Sequence, residues 1–251
     1  MRTQGISAAA FLLAFGATGA FAADWYTGSP VNSRPGGAAS PLAAIDLSFS
    51  AAKDQLSGAL VGTVAPFGGL ETNGFRVRMI GVLGGYRYDA NAAGVGLVTG
   101  NQVGGSLLMG YEWIVDRTKV GLFGGLDVIS NQLDKYDPDN NTEGATIGAR
   151  IGLDFYSRPT DATYAAGTFS FTTANSGYYM RLRGGMSIYE QTYLGPELLV
   201  LGDSFYTQWR MGIGLHNIEL GPVKIGVSTG FVSDSSRGKG AYGILDTRLA
   251  F

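Results

Sequence analysis

The run ATIGARIGLDFY, residues 145–156, decides the fold because it alternates strictly between two kinds of side chain. One set of alternate positions is apolar and consists of Ala145, Ile147, Ala149, Ile151, Leu153 and Phe155. The other set is small, polar or charged and consists of Thr146, Gly148, Arg150, Gly152, Asp154 and Tyr156. Successive side chains of a strand point to opposite faces, so this period of two predicts a β-strand with one apolar side.

The same alternation recurs along the chain without a sustained helical period. We predict twelve strands, near residues 42–52, 56–65, 74–89, 102–115, 119–132, 145–156, 162–174, 177–189, 192–203, 205–216, 222–234 and 240–251. An even number of short alternating segments is typical of bacterial outer-membrane barrels. The predicted fold class is all-β: an antiparallel transmembrane β-barrel of about 12 strands with its N- and C-termini periplasmic.

The lengths of the predicted connections agree with this orientation. The longest, residues 90–101 and 133–142, fall on the outward side, and only residues 66–73 are long for a periplasmic turn. The tightest turns fall on the periplasmic side, at residues 116–118, 190–191 and 219–222. Long outer loops and short periplasmic turns are the rule in such barrels.

The N-terminus is predicted to be an export signal. Arg2 provides a positive start, residues 6–15 are a short apolar stretch, and Ala20-Phe21-Ala22 is a small-x-small cleavage site. The alternative is a buried N-terminal helix. We predict a signal peptide at 1–22, a periplasmic N-terminal tail at 23–40 and an outer-membrane β-barrel at 41–251, with the exported, cleaved protein in the bacterial outer membrane.

Composition excludes several classes of function. The 251 residues contain no cysteine, so disulfides and thiolate metal sites are impossible. A formal net charge of -2 gives no sign of nucleic-acid binding, which needs a basic patch. No residue pattern indicates a cofactor or a metal site, so we expect none. The 40 glycines and the 29 aromatic residues (13 Phe, 13 Tyr, 3 Trp) favour a barrel.

Charged residues identify the face that must avoid lipid, because Arg or Lys facing lipid at mid-bilayer costs about 2–4 kcal/mol. A soluble β-sandwich would alternate too, but its polar face would carry many Lys, Glu and Thr. On the predicted strands the charged residues lie on the face opposite the apolar residues. Asp46 and Lys224 follow this arrangement, whereas Arg87, near a strand end, does not. The predicted lumen-lining residues are Arg76, Arg78, Glu112, Lys119, Asp127, Arg150, Asp154, Tyr179, Arg181, Arg183, Glu197, Arg210, Asp246 and Arg248.

Tyrosines share the predicted inward face. They are Tyr86, Tyr88, Tyr156, Tyr164, Tyr179, Tyr189, Tyr193, Tyr206 and Tyr242. A tyrosine offers an apolar ring to a sugar face and a hydroxyl to its edge, so these residues are candidates for a polysaccharide track. The alternative is that they fill a narrow interior. The inward charges likewise allow either a plugging network or the lining of a hydrated passage.

Three further features have modest expected roles. His216, the single histidine, is expected to be a packed wall residue, since no serine nucleophile lies within reach by sequence. Residues 137–143 (DPDNNTE) begin like a calcium loop, but Thr142 stands where the turn glycine belongs, so a solvated outer loop is expected. Phe251 ends the last strand as a terminal aromatic and resembles the recognition signal for the barrel assembly machinery.

Several short stretches together resemble the cellulose biosynthesis protein BcsS family, outer-membrane accessory proteins of alphaproteobacteria. They are DWYTG at 24–28, GYEW at 110–113, DFY at 154–156 before PTD at 159–161, LGPE at 194–197 with LGD at 201–203, QWRMG at 208–212 and GAYGIL at 240–245. The likeness covers nearly the whole chain after the signal, although no single motif is diagnostic.

The resemblance implies a non-enzymatic outer-membrane barrel, accessory to bacterial cellulose (exopolysaccharide) biosynthesis and export, with no catalytic residues to carry over. It is expected to act as a passage or as an anchor for the export machinery. The implied partners are outer-membrane lipid, the barrel assembly machinery, the cellulose chain and cellulose synthase or export components. The alternatives are a general small porin or structural surface barrel, and a disfavoured outer-leaflet lipid-modifying barrel enzyme.

Overall fold

The computed structural model describes residues 40–251. The predicted signal peptide and nearly all of the predicted tail lie outside the described residues. No helix among the described residues is long and apolar enough to cross a membrane.

The described chain is a closed barrel of twelve strands, which confirms the predicted fold class. Each strand pairs antiparallel with the next one along the chain, and the first pairs with the last. Two short 3-10 helices, Asn91–Ala93 and Ala174–Ser176, lie in the connections. The strands are β1 (Ala43–Ala52), β2 (Gln55–Val64), β3 (Gly74–Asp89), β4 (Leu97–Val115), β5 (Thr118–Leu133), β6 (Gly144–Thr160), β7 (Thr163–Thr172), β8 (Tyr178–Tyr189), β9 (Thr192–Gly202), β10 (Thr207–Leu220), β11 (Val223–Asp234) and β12 (Gly238–Ala250).

The two ends of the barrel differ in their connections. One end, here called the termini end, holds the start of β1 and the end of β12, where the Leu42 and Ala43 N–H groups donate to the Phe251 carbonyl at 2.9 Å. Its connections are residues 65–73, 116–117, 161–162, 190–191 and 221–222. The opposite end, here called the loop end, carries residues 53–54, 90–96, 134–143, 173–177, 203–206 and 235–237.

Three strands extend four or more residues beyond their predicted bounds. β4 begins at Leu97 rather than 102, because residues 97–101 pair fully with the end of β3 although their glycine and asparagine are turn-like. β6 continues past residue 156 to Thr160 through a bulge, and β10 continues past residue 216 to Leu220 through another. A bulge shifts the register without ending the pairing, so alternation alone places the strand end too early.

The faces of the strands follow the predicted alternation. Apolar residues such as Leu126 and Ile147 are well exposed on the outside, whereas charged residues are buried. Arg87, the predicted exception, is exposed, and its Nη2 lies 3.6 Å from Asp54 Oδ1 at the loop end. The inward position predicted for Tyr189 is wrong. It is 69% exposed because the β8–β9 register shifts between Ser187 and Tyr189.

Apolar side chains fill the spaces that the charged groups leave inside the barrel. Leu108, Phe123 and Leu199 are at most 2% exposed, and they belong to one buried cluster with Val61 and Tyr242. Side chains this inaccessible have no water-sized space beside them. The middle of the barrel is therefore a packed core that contains both hydrocarbon and ion pairs.

An outward arginine tests the lipid-facing surface. Leu126→Arg, near the middle of β5, should lower the free energy of unfolding in lipid vesicles by about 2–4 kcal/mol, because the charge meets hydrocarbon at mid-bilayer. Val115→Arg at the strand end is the matched control and should cost about 0–1 kcal/mol. Denaturant titration of the refolded barrel measures both, and equal losses would contradict the assigned membrane depth.

Candidate functional site: the buried polar interior

The predicted lumen-lining residues lie within the barrel and contact one another. All are buried except Arg150, whose side chain is slightly exposed. Burying a charge is costly unless it is paired and hydrogen-bonded. The arrangement of partners therefore shows how this interior is stabilised.

The central cluster joins β8, β9 and β12. Arg181 Nη2 lies 2.6 Å from Glu197 Oε2 and 2.9 Å from Asp246 Oδ2. The Ser48 hydroxyl donates to Asp246 at 2.7 Å, and the Ser228 hydroxyl donates to Glu197 at 2.9 Å. One guanidinium thus pairs with two carboxylates, and each carboxylate also accepts a hydrogen bond from a serine hydroxyl.

A second cluster fastens the long connection at the termini end. Glu112 Oε2 lies 2.6 Å from Arg76 Nε and 2.8 Å from Lys119 Nζ. The other side of the Arg76 guanidinium donates to the Gly69 carbonyl at 3.1 Å and the Thr72 carbonyl at 2.5 Å. Residues 65–73, unusually long for this end, are therefore held by a buried arginine.

Two further pairs lie in the termini half of the interior. Arg78 Nη1 lies 2.6 Å from Asp154 Oδ2, and its guanidinium carbon is 3.7 Å from the centre of the Phe123 ring. Arg248 Nη1 donates to both carboxylate oxygens of Asp46 at 2.9 Å. These contacts cross-link strands that are distant in sequence.

The loop half of the interior contains ion pairs and amide groups. Arg150 Nη2 lies 2.9 Å from Asp127 Oδ2, whose other oxygen accepts from Ser106 at 2.6 Å. Arg210 donates to Gln208 Oε1 at 2.7 Å, and the Gln208 amide donates to Asp234 at 2.7 Å.

Asp234 also binds Arg237 in the turn between β11 and β12, with Arg237 Nη2 at 2.5 Å. The Arg237 guanidinium carbon lies 4.4 Å from the centre of the Tyr206 ring, within cation–π distance. A short turn and its arginine thus close one side of the loop end.

The connection at residues 134–143 folds inward, so the prediction of a solvated loop is wrong for three of its residues. Asp137, Asn140 and Thr142 are buried. Tyr88 donates its hydroxyl to Asp137 Oδ2 at 2.8 Å and accepts from the Asn140 amide at 3.0 Å. Asn131 of β5 donates to the Thr142 carbonyl at 2.8 Å. Of the alternate positions that resembled calcium ligands, Asp137 is therefore engaged by Tyr88 of β3, whereas Asp139 and Asn141 are exposed.

Two internal cavities lie toward opposite ends of the barrel. The loop-end cavity has a volume of about 80 Å³ and is lined by residues that include Gln102, Arg150, Tyr179, Asp203 and Tyr206. The cavity at the termini end, beside His216, has a volume of about 10 Å³. Both are well below the roughly 300–1,000 Å³ of ordinary ligand pockets, and the central cluster and packed core lie between them.

Comparison with known proteins identifies the family. The family model described as cellulose biosynthesis protein BcsS matches residues 50–251. The chain belongs to the BcsS family. No curated protein matches this chain.

Solved structures show the likeness of the fold. A structure titled "KdgM porin" has a TM-score of 0.51 and 12% identity, and the match covers 83% of this BcsS chain and 99% of that one. A structure of KdgM porin in complex with disordered oligogalacturonate has a TM-score of 0.46, 12% identity and the same coverage. A Pseudomonas aeruginosa FadL homologue has a TM-score of 0.40 and 10% identity, with 78% of this chain and 68% of that chain covered. At such identities the likeness shows the barrel fold alone.

Asp203 is the acidic residue that lines the loop-end cavity of this BcsS barrel. Burial raises the pKa of its carboxyl, while the backbone N–H groups of Phe205 and Tyr206 donate to it and oppose that shift. Phe205 packs against Tyr88 at a ring-centre distance of 5.1 Å, so it lies among the residues of the loop end. The connection between β9 and β10 therefore contributes Asp203 and Tyr206 to the wall of this cavity.

His216 lies near a serine that sequence reasoning had not associated with it. Its ring and the Ser228 hydroxyl both approach Gly214, yet Ser228 donates to Glu197 and neither ring nitrogen of His216 has a hydrogen-bond partner among the described residues. Both side chains are buried. A nucleophile must contact its base and be reachable by substrate, and this pair meets neither condition.

Sequence reasoning missed which groups bind each other. The Arg76 contact with residues 65–73, the inward connection at 134–143 and the Asp234–Arg237 pair were not predicted. The Asp-Ser-Ser-Arg spacing at 234–237 is a usable signal, because such residues favour a tight turn that brings positions i and i+3 together. The other contacts join segments far apart in sequence, and alternation carries no information about them.

Truncating the central arginine tests the buried network. Arg181→Ala leaves Glu197 and Asp246 without their cation and should lower the free energy of unfolding by about 3–5 kcal/mol. The control is Arg117→Ala, which breaks a 2.6 Å pair with Asp161 at the surface and should cost about 0–1 kcal/mol. Denaturant unfolding in detergent measures both, and similar values would show that the central cluster is not the stabilising element.

Proposed function

We propose that this chain is a non-enzymatic outer-membrane barrel, accessory to cellulose production, that anchors other components of the export apparatus and does not conduct the glucan. Membership of the BcsS family supports the link with cellulose, and the closed twelve-stranded barrel supports the membrane location. The observation that carries the choice of anchor over passage is the filled interior.

The filling is too dense for a polysaccharide passage. Arg181, Glu197 and Asp246 are at most 2% exposed, and Leu199 beside them is inaccessible. A hydrated passage would leave such lining groups in contact with water. Opening one would separate buried ion pairs, and breaking a buried pair by removing one partner costs about 3–5 kcal/mol.

The proposed location rests on the surface of the barrel and on its termini. The apolar outer side of the strands suits outer-membrane lipid, and the short connections at the termini end suit the periplasm. Phe251 at the end of β12 is the proposed signal for the barrel assembly machinery. An export signal at residues 1–22 completes this proposal.

The burial of His216 supports an accessory role without catalysis. Its ring is buried, and the hydroxyl of Ser228, which approaches Gly214 as the ring does, donates to Glu197. An outer-leaflet lipid also could not reach it, because the residue lies toward the termini end. These features disfavour the lipid-modifying enzyme and leave an anchoring role as the simplest use of the barrel.

Deleting the gene should reduce cellulose at the cell surface. The amount of cellulose made by isolated inner membranes should stay unchanged, because the proposed role begins after synthesis. Dye binding to cells and synthase assays on membranes measure the two quantities. Complementation with the wild-type gene and with Arg117→Ala should both restore surface cellulose, and normal cellulose in a clean deletion contradicts the proposal.

Conductance separates an anchor from a porin. The purified barrel should give no steady ion current in planar bilayers, since its centre is packed. A triple variant with Arg181→Ala, Glu197→Ala and Asp246→Ala should conduct, because truncation removes the three charged side chains that fill the centre; Arg183 then loses its 3.8 Å contact with Asp246. The control pair Arg117→Ala and Asp161→Ala should stay silent. A steady wild-type current would support the general porin instead.

A further inference from the structure

Arg87 is an arginine on the outward face of β3, near the loop end of the strand. Its side chain is 59% exposed. Toward the termini end, the next outward positions of β3 are Gly85, Leu83, Gly81 and Met79, and the leucine and the methionine are more than half exposed. Arg87 therefore lies where the apolar outer surface of this strand ends. A long cationic side chain at such a boundary reaches the level of the lipid headgroups while its stem stays on apolar surface.

A groove of about 370 Å³ opens on the barrel surface beside this arginine. Its lining residues include Asp54, Leu56, Gly85, Arg87 and Thr99. Gly85 pairs with Leu56 of β2, and Arg87 pairs with Thr99 of β4, so three neighbouring strands build the groove. Its volume falls in the range of roughly 300–1,000 Å³ that is usual for ligand pockets.

The groove has the order of groups that a membrane lipid has. Arg87 lies at its loop-end side, and Gly85, the next outward residue of β3, has no side chain to fill the space below the guanidinium. Leu56 is 51% exposed and forms an apolar wall beside Gly85. A cation above an apolar wall matches a lipid phosphate above its acyl chains.

The charges at the groove decide which headgroup fits. Arg87 Nη2 lies 3.6 Å from Asp54 Oδ1, and the Asp54 side chain is 37% exposed. Exposed ion pairs contribute little to stability, so a ligand can recruit both partners at low cost. Asp134 also approaches the rim, where its Oδ1 accepts a hydrogen bond from the Thr99 N–H at 2.7 Å. A headgroup that carries only negative charge would meet these carboxylates, whereas one that carries a phosphate and an ammonium satisfies both signs.

We propose that this groove binds a membrane lipid whose headgroup is phosphoethanolamine. Arg87 binds the phosphate, Asp54 accepts hydrogen bonds from the primary ammonium, and Leu56 contacts the upper part of an acyl chain. The lipid thus gives an outward arginine a partner at the membrane boundary.

This inference rests on the membrane location in the proposed function and is independent of the link with cellulose. Lipid binding by the purified barrel and surface cellulose after gene deletion are separate measurements. Failure of one leaves the other intact, so the two proposals can be contradicted separately.

Native mass spectrometry of the full barrel in detergent measures the bound lipid. With equimolar phosphatidylethanolamine and phosphatidylglycerol, the wild type should retain mainly phosphatidylethanolamine. Arg87→Gln should lower that retention about tenfold or more, the effect of losing a hydrogen bond to a charged group. Asp54→Asn removes the carboxylate but keeps the shape of the side chain, so phosphatidylglycerol should then be retained equally well. Equal retention of the two lipids by the wild type, or an unchanged preference in Asp54→Asn, overturns the proposal.

Filling the groove tests its shape without altering its charges. Gly85→Leu places a side chain in the groove and should also reduce the retention of phosphatidylethanolamine about tenfold. The matched control is Gly81→Leu on the same face of β3, where an added Cβ meets nothing within 4 Å. This variant should retain lipid as the wild type does. Equal losses in the two variants assign the effect to added bulk on the barrel surface and contradict a specific groove.

A second control removes an exposed arginine elsewhere. Arg117→Gln breaks the 2.6 Å pair with Asp161 at the termini end and should leave lipid retention and its selectivity unchanged. A loss as large as that of Arg87→Gln would show that any exposed ion pair attracts these lipids, which overturns the proposal. Circular dichroism of each variant confirms that the compared barrels are folded.

Discussion

Hydrocarbon supplies no hydrogen-bond partners, so every backbone N–H and C=O of a membrane-spanning strand must find one in a neighbouring strand. Pairing of β1 with β12 meets this requirement by removing both sheet edges. Closure then forces each strand to present alternate residues to lipid and to the interior. The charged residues lie on the inward set, and because that interior is narrow and packed, they are stabilised chiefly by each other.

The buried ion pairs therefore act as the core of this barrel. Arg181 bridges two carboxylates at the centre, Arg76 fastens the long connection at the termini end, and Asp234 fastens the turn to β12 at the loop end. Such a network resists opening, because displacing one member leaves the others buried and unpaired. A filled interior of this kind suits a protein that acts through the surfaces at its two ends and through its fixed position in the membrane. That is the physical basis for favouring an anchor over a passage.

Bulges give the barrel features that regular alternation cannot provide. The register shifts in the β6–β7, β8–β9 and β10–β11 pairs all lie toward the termini end. One of them places Tyr189 outside, and another turns His216 and Asn217 inward together. The small cavity at the termini end lies beside the second of these. Departures from the period of two are thus concentrated toward the termini end of the barrel.

The sequence predicts the number of strands, the closure of the barrel and the inward face of each strand. Residues such as Ile147, Arg150 and Asp154 carry this information, because a period of two is a local property of the chain. The charged residues predicted to line the lumen are buried, apart from the slightly exposed Arg150. The partners of those charges could not be read, since Arg181 meets Asp246 and Arg78 meets Asp154 only after closure brings distant strands together. The bulge at His216 and the inward fold of residues 134–143 also depend on contacts across the barrel, which no short stretch of sequence encodes.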